Sequence, residues 1–165
     1  MKNITTTLCA ALLTLSSTQV FSQEAKVEAA AGTKAEAKFD REIVVTCNDT
    51  MQFNTKALEV KVGETVKITL KNEGKLPKEA MGHNLVVLNA GANFMAFAGK
   101  AGAARATDFI PDDAESKAMV RAHTKVLGPG ETDSLIFKAP AAGSYEYLCS
   151  FPGHFALMRG IITVK

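Results

Sequence analysis

The chain has 165 residues, of which 47% are hydrophobic, and its formal net charge is +2. This length and composition allow one domain with its own core and are too small for two ordinary domains. Because the charge is near neutral and no basic run carries interleaved aromatic residues, the sequence argues against nucleic-acid binding and favours protein partners.

Residues 1–22 have the layout of a secretory signal peptide. Lys2 precedes a short apolar stretch, and Val20 and Ser22 take the positions expected before a cut ahead of Gln23. An uncleaved anchor is the alternative, but the apolar stretch is shorter than the ~20 residues that a membrane span needs. We therefore predict an exported, periplasmic protein with no integral membrane segment after processing.

Residues 23–38 are rich in alanine, glutamate and lysine. Val27 is the only large hydrophobic residue among them, so this segment has too little apolar surface to order itself. We interpret it as a flexible segment, and its sequence leaves open whether it acts as a tether or as a solvated tail.

From residue 39 to residue 165, apolar and polar residues alternate in short runs that are typical of β-strands. The runs 58–62 and 66–70, joined by a turn at Gly63, predict a hairpin with one solvent-exposed face. Further strands are predicted at 42–46, 85–88, 132–138, 144–149 and 160–164. Many short strands separated by glycine and proline predict an all-β sandwich, and the Ala- and Gly-rich stretch 90–120 predicts a short helix or flap across one side.

A group of candidate metal ligands lies near the C-terminus. Cys149, His154 and Met158 are nine positions apart at most, and Pro152 and Gly153 bend the backbone between them, so that one loop can surround one ion.

A second imidazole is expected from His83, far upstream. One thiolate, two imidazoles and a thioether select copper in a trigonal site with a weak axial sulfur. This donor set predicts a one-electron carrier.

The spacing Cys-x4-His-x3-Met of this loop resembles the ligand loop of the azurins, which are small blue copper proteins of the cupredoxin family. The resemblance covers residues 39–165 and includes the segments 51–54, 76–78, 81–84, 111–113 and 122–125. It implies a cupredoxin-like Greek-key β-sandwich with a short helical insertion. It also implies one copper ion that cycles between Cu(I) and Cu(II), and redox partners such as c-type cytochromes or copper- or haem-containing reductases and oxidases.

The resemblance also assigns roles to single residues. It implies that the carbonyl oxygen of Gly82 faces the metal opposite Met158. It implies that Asn84 ties the upstream segment to the Cys149 loop, and that the backbone N–H of Phe151 points at the thiolate sulfur. Electrons would pass through a partly exposed edge of the His154 ring. By the same resemblance this edge lies within an apolar collar to which Met51, Leu76 and Met81 contribute.

Each ligand also has a structural interpretation. A cysteine at the end of an apolar strand is usually a core residue, methionines often fill gaps, and a turn or bulge explains Gly82 almost as well as ligation does. The motif as a whole favours ligation over these readings.

Cys47 has no partner once Cys9 leaves with the signal peptide, so we predict that Cys47 is buried. By the resemblance, Arg41 and Glu64 occupy positions where azurins commonly have a disulfide.

Two other functions are compatible with the sequence. The first is a copper-binding or copper-delivery protein that does not cycle its metal. The second is an enzyme in which Cys149 is the nucleophile and a histidine is the base, but such an enzyme has no use for Met158. We predict a non-enzymatic electron carrier.

Overall fold

The computed structural model describes residues 38–165. The predicted signal peptide, residues 1–22, and residues 23–37 of the predicted flexible segment lie outside the described residues. The strands are β1 (Arg41–Asn48), β2 (Gln52–Phe53), β3 (Ala57–Val60), β4 (Thr65–Asn72), β5 (Val86–Leu88), β6 (Val120–His123), β7 (Thr132–Lys138), β8 (Gly143–Leu148) and β9 (Arg159–Val164). The helices are α1 (Lys78–Met81), α2 (Phe94–Ala101) and α3 (Ala114–Met119), with 3-10 turns at Arg105–Thr107 and His154–Ala156.

The strands form two sheets that enclose one core. One sheet has the strand order β2-β1-β4-β7 and the other has the order β3-β9-β8-β5-β6. The β1–β4 and β3–β9 pairs are parallel, and the other neighbours are antiparallel. Ile68 and Phe137 of the first sheet share a buried cluster with Tyr145 and Ile162 of the second. The predicted all-β sandwich is confirmed.

The predicted hairpin over residues 58–70 is wrong. β3 pairs with β9 and β4 pairs with β1 and β7, so the turn at Gly63 carries the chain from one sheet to the other. Both strands have the alternation that was read from the sequence, because each turns one apolar face toward the shared core. Val62, assigned to the apolar face of the hairpin, lies beyond the end of β3 and is 54% exposed.

The predicted helical insertion is confirmed as α2 and α3. Asn93 begins α2 by accepting a hydrogen bond from the Ala96 N–H at 3.1 Å, and such a cap satisfies an N–H with no partner inside the helix. Phe97 packs with Val86 and Leu148 in a second buried cluster, so the insertion covers part of the outer face of the five-stranded sheet. None of the helices in the described residues is long and apolar enough to cross a membrane.

The pairing of β5 with β8 determines which loops meet. Val86 lies opposite Leu148 in an antiparallel register, so the chain before β5 and the chain after β8 leave the sheet at the same end. Residues 82–84 precede β5, and the loop that begins at Cys149 follows β8. The two candidate ligand segments are therefore neighbours in the fold.

Candidate metal centre

Three of the predicted ligands meet in one buried cluster. The candidate ligand atoms of His83, Cys149 and His154 all lie within 4.8 Å of one another. His83 and Cys149 are fully buried and His154 is 3% exposed. The partly exposed edge predicted for the His154 ring is therefore almost closed.

Backbone hydrogen bonds hold each donor in place. The His83 N–H donates to the Leu127 carbonyl at 3.1 Å, and the Leu127 N–H donates to the His83 carbonyl at 2.7 Å. These two bonds tie the segment before β5 to the chain at Leu127. In the ligand loop, the N–H of Cys149 donates to the carbonyl of Met158 at 2.9 Å, and the N–H of Met158 donates to the carbonyl of His154 at 2.9 Å. Gly153 has a φ of 81°, a left-handed conformation that suits glycine and bends the loop before His154.

The Met158 side chain is fully buried, as an axial ligand or a core residue would be. The hydrogen bond between the Cys149 N–H and the Met158 carbonyl joins the two ends of the loop and brings their backbones together. Burial and this backbone contact do not distinguish a ligand from a core residue, so ligation by the Met158 sulfur stays a prediction.

The imidazole of His83 is buried without a hydrogen-bond partner. Neither ring nitrogen makes a hydrogen bond to any group among residues 38–165. Burial lowers the pKa of His83, and the nearby Asp49 carboxylate and Asn48 carbonyl offset this only in part. The Asn48 carbonyl raises the pKa of the ring slightly by its proximity, but it makes no hydrogen bond with either ring nitrogen. A buried polar group with no partner is rare, and the neutral His83 ring has a nitrogen lone pair that fits a metal ion.

The other two donors are held neutral by burial when no metal is bound. Burial lowers the pKa of His154 to about 4, and the neighbouring His83 ring adds to the effect. Burial raises the pKa of the Cys149 thiol to about 12, although the backbone N–H groups of Asn84 and Phe151 act in the opposite direction. The sulfur therefore needs a bound cation to be a thiolate at neutral pH. The predicted direction of the Phe151 N–H agrees with this effect on the sulfur.

The spacing of the donors fits a small, thiophilic metal ion. The Cys149 sulfur lies 3.7 Å from Nδ1 of His154. Metal bonds of about 2.0 Å to nitrogen and 2.3 Å to sulfur, separated by a trigonal angle, would put these atoms roughly 3.7 Å apart. One thiolate and two imidazoles in a dry cavity are the donors of a copper site of the blue type. The cluster thus fits a single copper ion.

Asn84 joins the two ligand segments as predicted. Its carbonyl oxygen accepts from the Ser150 N–H at 2.8 Å, and its amide nitrogen donates to the Ser150 hydroxyl at 2.8 Å. The same nitrogen donates to the carbonyl of Asp108 at 2.9 Å. Because Asn84 follows His83 and Ser150 follows Cys149, these bonds fix the separation of two donors.

Gly82 lies where a side chain would not fit. A Cβ atom there would be 2.6 Å from the carbonyl oxygen of Lys78 and 2.6 Å from a methyl carbon of Val126. The φ of −69° and ψ of 149° are open to other residues, so the requirement for glycine comes from close contacts. Its predicted role as an oxygen ligand stays a prediction.

The sequence did not single out Ser150 or Phe109. Ser150 is the partner of Asn84 across 66 residues, and the Phe109 ring contacts that of Phe151 at a centroid distance of 4.9 Å. Ser150 is visible in the sequence only as a loop residue beside Cys149. Phe109 lies within the irregular insertion, where neither spacing nor composition indicates a contact with the ligand loop.

Cys47, Arg41 and Glu64 are not among the candidate metal ligands. Cys47 is 1% exposed, which confirms the predicted burial, and its thiol donates to the carbonyl of Lys71 at 3.6 Å. Arg41 and Glu64 form an ion pair at 2.9 Å. An ionic contact thus joins the two positions that resemble the disulfide positions of azurins. His123, which is exposed, contacts the carbonyl of Thr124 and is not in the cluster.

The comparisons with known proteins agree with this geometry. A family model described as copper binding proteins, plastocyanin/azurin family, matches residues 39–165. The azurin of Pseudomonas fluorescens biotype C is 41% identical over 127 residues, which cover 74% of this chain and 97% of that azurin. The solved azurin of Methylomonas sp. strain J superimposes with a TM-score of 0.66 at 32% identity, over 76% of this chain and 98% of that one.

A longer relative is similar as well. The outer membrane protein H.8 of Neisseria gonorrhoeae is 47% identical over 124 residues, which cover 73% of this chain. The matched part covers 65% of the length of that relative.

Proposed function

The chain belongs to the plastocyanin/azurin family of copper-binding proteins, and from this premise we propose that it is an exported blue copper protein that carries single electrons between redox proteins. The observation that carries the proposal is the buried cluster of His83, Cys149 and His154. When bound, copper supplies a one-electron Cu(II)/Cu(I) couple.

In this proposal, five residues hold the ion. His83, Cys149 and His154 would be the strong ligands, and the Met158 sulfur and the Gly82 carbonyl oxygen would be weak ones. Cys149 must lose its proton on binding, because its thiol is neutral in the metal-free protein. The two imidazoles are already neutral at pH 7, so they bind without losing one.

The surroundings of the ligands suit rapid electron exchange. Asn84 and Ser150 share two hydrogen bonds, and the Cys149 N–H is bound to the carbonyl of Met158. Because buried hydrogen bonds hold the ligand residues, these residues would move little between the two oxidation states of a bound copper ion, which would lower the cost of each transfer. The buried cluster also excludes water from the sulfur.

An electron needs a short path to a partner, and the ligand loop offers one. His154 is 3% exposed and Leu157, three residues later, is 55% exposed. Leu76 is also exposed, at 45%. Small apolar surfaces of this kind suit brief docking with redox proteins, such as c-type cytochromes or copper- and haem-containing reductases and oxidases. We also propose that Met51 and Met81 contribute to this apolar docking surface, as the family resemblance implies.

We place the protein outside the cytoplasm. The signal-peptide layout of residues 1–22 supports export, and the relative from Neisseria gonorrhoeae is named an outer membrane protein. For the mature chain we propose a periplasmic location.

Two measurements on the exported protein test the proposal. Addition of Cu(II) should give an intense blue absorption from thiolate-to-copper charge transfer, together with the small copper hyperfine splitting of a blue site in the EPR spectrum. Mixing oxidised and reduced protein should then give rapid electron self-exchange in NMR line widths. Slow self-exchange of a blue protein, together with a reduced form that no redox protein can reoxidise, would instead indicate a copper-delivery protein.

A further inference from the structure

A corner of the helical insertion has a strained backbone. Asp108 and Phe109 are consecutive residues with φ values of 54° and 59°, in the left-handed region. Non-glycine residues rarely adopt this region, and for a bulky residue such as Phe109 it is an outlier. Strained conformations persist where surrounding contacts fix them, and such contacts often belong to a functional site.

The corner contacts the segment that carries His83. The carbonyl oxygen of Asp108 accepts a hydrogen bond from the Asn84 side chain at 2.9 Å. The Asp108 carboxylate accepts from the N–H of Val126 at 3.2 Å. Val126 is also the residue whose methyl group leaves no room for a side chain at Gly82.

The corner also contacts the loop that carries His154. The Phe109 ring meets the Phe151 ring edge to face, with centroids 4.9 Å apart and planes at 66°. The Phe151 ring in turn lies 4.7 Å from the His154 ring. Phe109 is 7% exposed and Phe151 is 8% exposed, so this stack is part of the core.

We propose that Asp108 and Phe109 are positioning residues for the copper centre, which hold the His83 segment and the His154 loop at a fixed separation without touching the ion. The inference rests on the proposed copper site. Asp108 acts through Asn84 and Val126, and Phe109 acts through Phe151. The left-handed conformation is what lets adjacent residues reach both ligand segments from one corner.

The first test uses the metal-free, full exported chain. Asp108→Ala removes the carboxylate and makes the left-handed conformation less favourable, whereas Asp108→Asn keeps an oxygen acceptor and a residue that tolerates this conformation. We expect Asp108→Ala to speed amide hydrogen exchange at Val126 and Ser150 by roughly three- to tenfold, the range that one hydrogen bond contributes. Asp108→Asn should exchange like the original chain.

Asp112→Ala is the matched control, because it removes an exposed carboxylate from the same insertion. Its ion-pair partner is Lys117. We expect no change at Val126 or Ser150 in this variant. If Asp108→Ala does not fold, Phe109→Leu tests the other contact, since it removes the edge-to-face contact with Phe151 and keeps an apolar side chain. Its expected effect is faster exchange of the His154 N–H, which donates to the Phe151 carbonyl.

The second test uses the copper-loaded protein. Asp108→Ala and Phe109→Leu should change the copper hyperfine splitting and shift the reduction potential beyond the shift seen in Asp112→Ala, and Asp108→Asn should restore both. The inference is overturned if Asp108→Ala and Phe109→Leu match Asp112→Ala in hyperfine splitting and potential, even where amide exchange changes, because a purely structural role would give that result. Failure of the proposed function is distinguishable, because the original chain would then not turn blue while the exchange results would stand.

Discussion

The sulfur of Cys149 lies 3.7 Å from Nδ1 of His154, at the point where β8 ends and the ligand loop begins. The two residues are five positions apart, and the loop returns to Cys149 through the hydrogen bond from its N–H to the carbonyl of Met158. The loop alone can thus present one thiolate and one imidazole to the same ion. His83 completes the set because β5 pairs with β8.

Replacement of the candidate sulfur ligand is the first prediction. Cys149→Ser should abolish the blue colour, since a hydroxyl gives no charge-transfer band comparable to that of a thiolate. Visible absorption after Cu(II) addition measures this. Cys47→Ser is the control: it changes the other buried cysteine of the described chain, should keep the colour and should lower the free energy of unfolding by about 1–2 kcal/mol. A blue Cys149→Ser variant would refute the assignment of the sulfur ligand.

The second prediction concerns the axial position. Met158→Leu should keep the blue colour and raise the reduction potential, because it removes a weak donor and leaves a drier, more apolar cavity. The oxidised site carries one more positive charge than the reduced site, so a less polar cavity favours reduction. Voltammetry of the two proteins measures the shift. Met95→Leu, at a residue 56% exposed on α2, is the control and should leave the potential unchanged. A lower potential in Met158→Leu would contradict the axial role.

The sequence was most informative where the chemistry is local. The approach of Cys149 to His154 follows from one loop, and the predicted burial of Cys47 followed from its lack of a partner. β7 has the predicted bounds, because its alternation is clear and both ends are bounded by turn residues. These features depend on neighbours within a few positions.

Features that depend on distant partners were not predictable from periodicity or spacing, and the approach of His83 and Asn84 to the Cys149 loop was expected only from the family resemblance. The alternation in β3 and β4 reports which face of each strand is apolar, and it is the same whether two strands pair or face each other across a core. The corner at Asp108 and Phe109 has no glycine to mark its left-handed backbone. The tertiary contacts of this corner with Asn84, Val126 and Phe151 are among those that hold that conformation.

The third prediction tests the close approach at Gly82. Gly82→Ala should lower the free energy of unfolding by about 1–3 kcal/mol, because its Cβ would overlap the carbonyl oxygen of Lys78 and the side chain of Val126. The backbone around Gly82 must move to relieve this overlap, and that movement beside His83 should also alter the blue absorption spectrum. Gly99→Ala is the matched control: it lies in α2 with open space around it, so it should raise the free energy of unfolding by about 0.5–1 kcal/mol. Equal stability of Gly82→Ala and the original chain would contradict the packing argument.

The fourth prediction concerns the pH dependence of the metal-free protein. Burial lowers the pKa of His154 from 6.5 to about 4, so the unfolded chain takes up a proton near pH 6.5 that the folded chain does not. The ring is neutral in both states above that pH, and as the pH falls from 6.5 toward 4 its protonation in the unfolded chain alone lowers the free energy of unfolding. At about 1.4 kcal/mol for each unit of pKa, His154 alone should lower the free energy of unfolding by about 3 kcal/mol across this pH range.

Urea unfolding between about pH 7 and pH 4.5 measures this loss. His154→Gln should reduce the slope of stability against pH, because the variant has no ring to protonate in the unfolded chain. His123→Gln removes an exposed imidazole outside the cluster and is the control, with the slope of the original chain. Copper should make the same slope steeper, because Cys149 and the two imidazoles carry no proton in the copper-bound folded protein, whereas the unfolded chain takes up protons at these groups as the pH falls. Equal slopes in His154→Gln and the original chain would show that the buried ring does not control the acid stability of the metal-free protein.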